Sequence, residues 1–412
     1  MALLDTVAVL VTLAALLSYV NHRWVRLPTA VGLLGIALLL SLAVVAAGRL
    51  GMEAVTGAAA AFIAGIDFHE TLMQGMLSVL LFAGALHVDL GELSRQKGIV
   101  AVLATLGVVA TTFLVGAAAW WVFGLLGLAV PFVYCLVFGA LIAPTDPIAV
   151  LGVLKQAGVP RSVEIKITGE SLFNDGIGVV VFLVLAGLAA EGGAPEPAGI
   201  AWLLVQEAAG GALLGLLLGG ACYALLRGID NYQVEILLTL ALVLGGYALA
   251  GTLHVSGPIA MVVAGLLLGN HGRLLAMSPV TREHLDGFWE LMDEFFNAVL
   301  FVLIGLEVLV LSFSLDHLWA ALFLVPVVLG ARWLSVAVPV SLLRRFRPFT
   351  PGVVALMTWG GIRGGISVAL ALSLPAGPVR EVLVGVTYGI VVFSILVQGL
   401  TLGPLARRLA AR

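Results

Sequence analysis

Glu170, Ser171, Asn174 and Asp175 sit together in Thr168-Gly169-Glu170-Ser171-Leu172-Phe173-Asn174-Asp175-Gly176, which leads into an apolar run ending at Ala190. Side chains three and four residues apart share a helix face, so Glu170 stacks with Asn174 and Ser171 with Asp175. Thr145 and Asp146 add a hydroxyl and a further carboxylate from Ala143-Pro144-Thr145-Asp146-Pro147. Hard cations take oxygen ligands, and these residues form an oxygen-rich set. Carboxylates held close together resist being ionised at the same time. That suits a group that must take up and release protons near neutrality. Arg332 and Arg363 stand alone among apolar neighbours and offer the acids a competing use, as ion pairs that only fasten helices. Glu170 is read in that structural way, with a fixed arginine partner. Asp175 and Asp146 are read as functional groups.

The elements that hold these groups are membrane spans. Of 412 residues, 61% are hydrophobic and 10% charged, and the mean hydropathy is +1.16. Soluble domains have about 45–50% apolar and about 25% charged residues. Apolar runs of about 20 residues, divided at their breakers, predict thirteen spans. They lie near 2–20, 28–48, 70–90, 98–123, 130–154, 164–189, 200–226, 232–252, 256–270, 286–311, 317–343, 350–374 and 380–403. The first has Asp5 as its only charge and lacks the basic start of a cleaved signal. Arg23, Arg26, Arg95, Lys97, Lys155, Arg161, Arg227, Arg273, Arg282, Arg344, Arg345 and Arg347 fall between odd-numbered spans and their successors, and Lys166 is counted with them at the very start of the sixth span. Arg407, Arg408 and Arg412 lie in the tail, whereas the even-numbered connections carry only Arg49 and Arg380, beside Glu53, Asp67, Glu191, Glu196 and Asp316. Basic residues collect in cytoplasmic loops, so the N-terminus is expected outside and the C-terminus in the cytoplasm. Arg332 and Arg363 fall inside spans, where a charge costs at least ~2.5–3.5 kcal/mol and needs a partner or a wet cavity.

Two spans are interrupted around one charged residue: Pro144-Thr145-Asp146-Pro147 in the fifth, and Thr358-Trp359-Gly360-Gly361-Ile362-Arg363-Gly364-Gly365 in the twelfth. Proline removes a donor from the helical ladder, and paired glycines weaken it. The third and tenth spans share a looser likeness, Phe82…Leu86-His87-Val88 against Phe301…Leu306-Glu307-Val308. Both pairs are seven spans apart, so their members run in opposite directions. Broken helices at matching places in two halves point to an inverted-repeat transporter site.

Other residues carry less. Cys135 and Cys222 lack metal-ligand spacing and are read as buried hydrophobes. His87 and His254 are read as interfacial, Trp120-Trp121 as an interface belt, and Asp293-Glu294 as an acidic first helical turn. A net charge of −3 and the absence of a basic run suggest no nucleic-acid partner. No phosphate-binding G-x-x-x-x-G-K-[ST] stretch is present, so no ATP is required.

Three stretches resemble the signatures of the cation:proton antiporter-1 family, the NhaP/NHE-type sodium/proton exchangers. They are Ala143-Pro144-Thr145-Asp146-Pro147, Glu170-Ser171-Leu172-Phe173-Asn174-Asp175-Gly176 and Trp359-Gly360-Gly361-Ile362-Arg363-Gly364; Leu253-His254-Val255-Ser256-Gly257-Pro258 is also similar. The resemblance covers nearly the whole chain. It implies an all-α membrane protein with thirteen spans and two crossing broken helices. Residues 1–412 would form one domain, spans 1–6 and 8–13 as inverted repeats and span 7 linking them. It further implies a homodimer in the cell (inner) membrane, with a dimerisation scaffold and a moving six-helix core.

By that resemblance Asp175 carries the ion or the proton, and Asp146, Thr145 and Ser171 join it around Na⁺, with Asn174 alongside. Glu170 would pair with Arg332, steadied by Asn174, and Arg363 would be the basic residue of the second broken helix. An Asn174-Asp175 pair, as against Asp-Asp, implies electroneutral exchange of Na⁺, or Li⁺, for H⁺ by elevator-like alternating access. No cofactor is expected; the partners are monovalent cations, protons and lipid. Many relatives carry Glu where this chain has Ala83, so that ligand is missing here. K⁺/H⁺ exchange and a cation channel are the rival readings. A membrane enzyme lacks a nucleophile or metal constellation, and a non-transporting receptor would leave the buried carboxylates unexplained.

Overall fold

The computed structural model describes residues 3–147, 150, 151, 153, 154, 157, 159–191, 197–311, 314–345 and 349–410. Lys155, Glu196, Arg347 and Arg412, counted above among the loop and tail charges, lie outside the described residues. Every regular element among the described residues is helical. Eight helices are long and apolar enough to cross a membrane: Leu4–Val25, Thr29–Arg49, Leu90–Leu125, Arg161–Ala190, Trp202–Leu226, Tyr232–Thr252, Leu315–Leu343 and Pro378–Leu409. Phe132–Ile142 and Gly257–Gly272 are shorter apolar helices. The interruption expected in the fifth stretch follows Ile142, where the chain stays non-helical through Pro147. That expected in the twelfth separates Val353–Trp359 from Gly365–Leu372.

One connection holds a helix that the expected spans do not include, and one expectation is corrected. The connection after Arg49 contains a helix, Glu53–Ala64. Its alanines are strong helix formers, but at 12 residues it is too short for a full crossing of about 20. Asp293 and Glu294 do not open their helix. That helix is Pro279–Leu306, with Ser278 as N-cap, its side chain accepting from the Thr281 amide, and proline in the first turn. Serine followed by proline is a strong helix start, and it displaces the acidic pair to mid-helix.

Large apolar side chains pointing outward, among them Leu39, Phe113, Trp120, Trp121, Trp202 and Leu217, give the bundle a face fit for lipid. Trp120 and Trp121 lie near the end of Val108–Leu125, with both rings exposed. Cys135 and Cys222 are free thiols, both buried. The buried residues around the two interruptions form the polar centre: Thr145, Glu170, Ser171, Asn174, Asp175, Arg332, Arg363, Ser394 and Gln398. His254 adopts a left-handed conformation in the turn that Ser256 then caps by accepting from the Ile259 amide at 3.3 Å.

Candidate functional site

Breaking a helix inside a membrane frees peptide groups that need protein partners or water, and the two interruptions supply partners for each other. The Asp146 amide donates to the Ile362 carbonyl at 2.7 Å, so the unwound stretches meet backbone to backbone. Arg363 Nη1 donates to the carbonyls of Ala143 at 2.7 Å and Pro144 at 2.9 Å. Its guanidinium therefore caps the C-terminal end of Phe132–Ile142, the end where a helix favours positive charge. The Arg363 amide donates to Ser394 Oγ at 2.9 Å, and Gln398 Nε2 donates to the Trp359 carbonyl at 2.9 Å. Ser394 and Gln398 belong to a π-helical turn, Ser394–Gln398, a rare distortion often found at functional sites.

Glycine makes this crossing possible. A Cβ on Gly364 would stand 2.5 Å from Asp146 Oδ2 and 2.7 Å from its Cβ, and one on Gly361 would stand 2.6 Å from Arg332 Nε. Gly364→Ala is therefore expected to lower stability by about 1–3 kcal/mol, the usual cost of overpacking. Thermal unfolding in detergent against wild type reads it; an unchanged midpoint would mean that the crossing yields freely.

Thr145 links the interruption to Arg161–Glu191. Its Oγ1 lies 2.8 Å from Ser171 Oγ and accepts from Asn174 Nδ2 at 2.9 Å, while its amide donates to Asn174 Oδ1 at 3.3 Å. Asn174 is thus committed to Thr145 and does not steady the Glu170–Arg332 pair, which corrects that expectation. The reason is geometric: Thr145 presents both its amide and its hydroxyl to the asparagine side chain. Glu170 and Arg332 meet two-on-two, Nη1 on Oε1 and Nη2 on Oε2, the latter at 2.7 Å. Arg332 Nε reaches the Met357 carbonyl at 3.2 Å, tying the pair to the second broken helix.

Asp175 is 4% exposed and, with Asp146, lines a cavity of about 560 Å³. The cavity runs past Pro144, Thr145 and Gly364 to Arg161, an exposed residue. The charges acting on Asp175 are those of Asp146 and Arg363, and Arg363 in turn feels Arg332 and Glu170. Around the crossing itself, Asp146, Asp175 and Glu170 face Arg332 and Arg363, so carboxylates outnumber guanidinia by one, and Asp293 adds a further carboxylate in the same cavity. Among the described residues, no three histidine, cysteine, aspartate or glutamate side chains converge as a metal cage. Any cation held here relies on hydroxyl and carbonyl oxygens besides carboxylate.

The sequence reading missed four participants. Ser394 and Gln398 carried no signal, because one serine and one glutamine in an apolar span are unremarkable. Asp293 and Asn297 line the same cavity, and only a correct start for their helix would have exposed them.

Residues 9–408 match a family model described as sodium/hydrogen exchanger, transmembrane. The Na(+)/H(+) antiporter NhaP of Pseudomonas aeruginosa is 52% identical, over 99% of this chain and 97% of that protein. NhaH of Halobacillus dabanensis is 35% identical over 83% of this chain and 84% of its own. Among solved structures, the sodium proton antiporter MjNhaP1 from Methanocaldococcus jannaschii superposes with a TM-score of 0.76 at 21% identity, covering 100% of both chains.

Proposed function

The chain belongs to the sodium/hydrogen exchanger family, and from that membership we propose that it exchanges one monovalent cation, Na⁺ by preference, for one proton, with Asp175 as the shared carrier. The observation that carries this reading is Asp175 itself, a nearly buried carboxylate beside Asp146 that is joined to a cavity reaching the surface. A bare carboxylate crossing an apolar gate costs ~2.5–3.5 kcal/mol, which disfavours the empty crossing about a hundredfold. A bound proton or cation removes that cost. Exchange, electroneutral and one for one, follows without ATP or a cofactor.

The Na⁺ ligands in this reading are Asp175, Asp146, Thr145 and Ser171, with Asn174 holding Thr145 in place. Arg363 fixes the broken end, and Glu170 with Arg332 locks the helices that carry the site. We further propose thirteen crossings, the N-terminus outside and the C-terminus in the cytoplasmic compartment of the cell membrane. The cavity would then face the cytoplasm, since its rim holds Arg161 of the basic loops. Spans 1–6 and 8–13 act as inverted repeats about span 7, and alternating access moves the core like an elevator against a homodimer scaffold. In support, the segment that begins at Phe68 lines one cavity with Glu307 and, at its far end, lines the other with His87 and Asp293. The third and tenth segments therefore run antiparallel, as the repeat requires.

The test is flux into proteoliposomes. An imposed pH gradient should drive Na⁺ uptake that is unchanged when the membrane potential is clamped, with protons competing at low external pH. Running Li⁺ and K⁺ in parallel decides the cargo. A cation current that persists without a pH gradient would make the protein a channel and end this reading.

A further inference from the structure

One wall of the cavity is formed by Pro279–Leu306, which contributes Glu290, Asp293 and Asn297. Spaced three and four residues apart, they lie along one helix face. They also grade in depth: Glu290 is exposed, Asp293 half-buried and Asn297 buried at 4% exposure. Asn297 Nδ2 is committed to the Asp293 carbonyl at 2.7 Å, so its Oδ1 points the other way, and among the described residues that buried oxygen has no hydrogen-bond partner. Asp293 Oδ1 is likewise buried and unpartnered among the described residues, while the Asn297 side chain hydrogen-bonds the Asp293 carboxyl. A buried acceptor without a donor is costly, and two on adjacent turns of one cavity wall can be satisfied by a cation as well as by a donor. Ala83, which lines the same cavity, contributes no oxygen.

We propose that Asp293 Oδ1 and Asn297 Oδ1 form a second, transient station for a dehydrating monovalent cation, between the cavity mouth and Asp146–Asp175. Glu290 gathers cations at the rim. The station rests on the reading of Asp175 as carrier, because it hands its ion to that site. Two oxygens from one helix, one of a carboxylate and one of an amide, with no cage of three histidine, cysteine, aspartate or glutamate side chains among the described residues, make a weak and open site. Weak binding is what a transit site needs, since an ion held tightly would not move on.

The test compares Asp293→Asn and Asn297→Leu with wild type in proteoliposomes, titrating Na⁺ at fixed pH gradient. The concentration of half-maximal Na⁺ flux should rise about tenfold in Asp293→Asn, the scale of losing one contact to a charged ligand, while maximal flux stays close to wild type. Asn297→Leu should shift the same parameter in the same direction. The difference must persist when ionic strength is raised with a choline salt, because contact ligands resist screening. Unchanged half-saturation in either folded variant overturns the station. So does a gap that choline abolishes, which would leave only a long-range field. Exchange lost altogether in Asp293→Asn would also overturn it, by making Asp293 a carrier. Asp175→Asn in the same assay separates the two readings: exchange retained there sinks the carrier, whatever Asp293 does.

Discussion

Asp175→Asn is expected to reduce pH-gradient-driven Na⁺ flux to the level of protein-free vesicles while the protein stays folded. Asparagine preserves shape but can neither bind a proton nor neutralise a cation, so the negative charge at this position disappears. With it goes the rule that the core crosses only when loaded. The same substitution removes a nearly buried carboxylate, and burying a charge is the costly state. Thermal unfolding in detergent should therefore show equal or greater stability, which separates a dead carrier from a broken fold. Retained exchange would remove Asp175 from its role. The nearby Asp146 is not expected to substitute, since it is fixed to the second broken helix through its own backbone amide.

Arg332→Ala is expected to show its effect in the reverse order, stability first and transport second. The two side chains are 6% and 1% exposed, and Glu170 would keep its charge with its partner gone. Truncating one member of such a buried pair costs about 3–5 kcal/mol. The Met357 carbonyl loses its donor as well, and this loosens the second broken helix. Replacing both partners, as Glu170→Leu with Arg332→Met, should recover much of the loss, because a buried pair exchanged for apolar packing is often neutral. Recovery should stop short of wild type by about 1 kcal/mol, the worth of one hydrogen bond. Denaturation in detergent, followed by flux on whatever remains folded, checks both. A fully stable yet inactive Arg332→Ala protein would give the pair a direct part in transport instead.

How legible these parts were in the chain depended on the range of the interaction. The face shared by Glu170, Ser171, Asn174 and Asp175 follows from helical geometry over one turn, and the breaks at Pro144–Pro147 and Gly360–Gly364 follow from missing donors and weak propensity. Both were readable. The partner of Asn174 was not, because Glu170 is near in sequence whereas Thr145 is near only in the fold. Asp293 was misplaced for a different reason. Hydropathy locates the apolar middle of a helix, but the charged first turns of Pro279–Leu306 extend the helix well beyond it.

By itself the sequence determined that this is a helical membrane protein with buried acids and two interrupted spans, because hydrophobicity, helix period and backbone donors are local properties; the exchanger reading came from the resemblance of its motifs to a known family. Only the tertiary structure decided how the orphaned groups are satisfied. Arg363 caps the opposite broken helix, the Asp146 amide reaches Ile362, and a π-turn sends Ser394 and Gln398 to the second break. Those partners lie far apart along the chain. Many packings could bring a donor to a free carbonyl, and only the folded arrangement selects one.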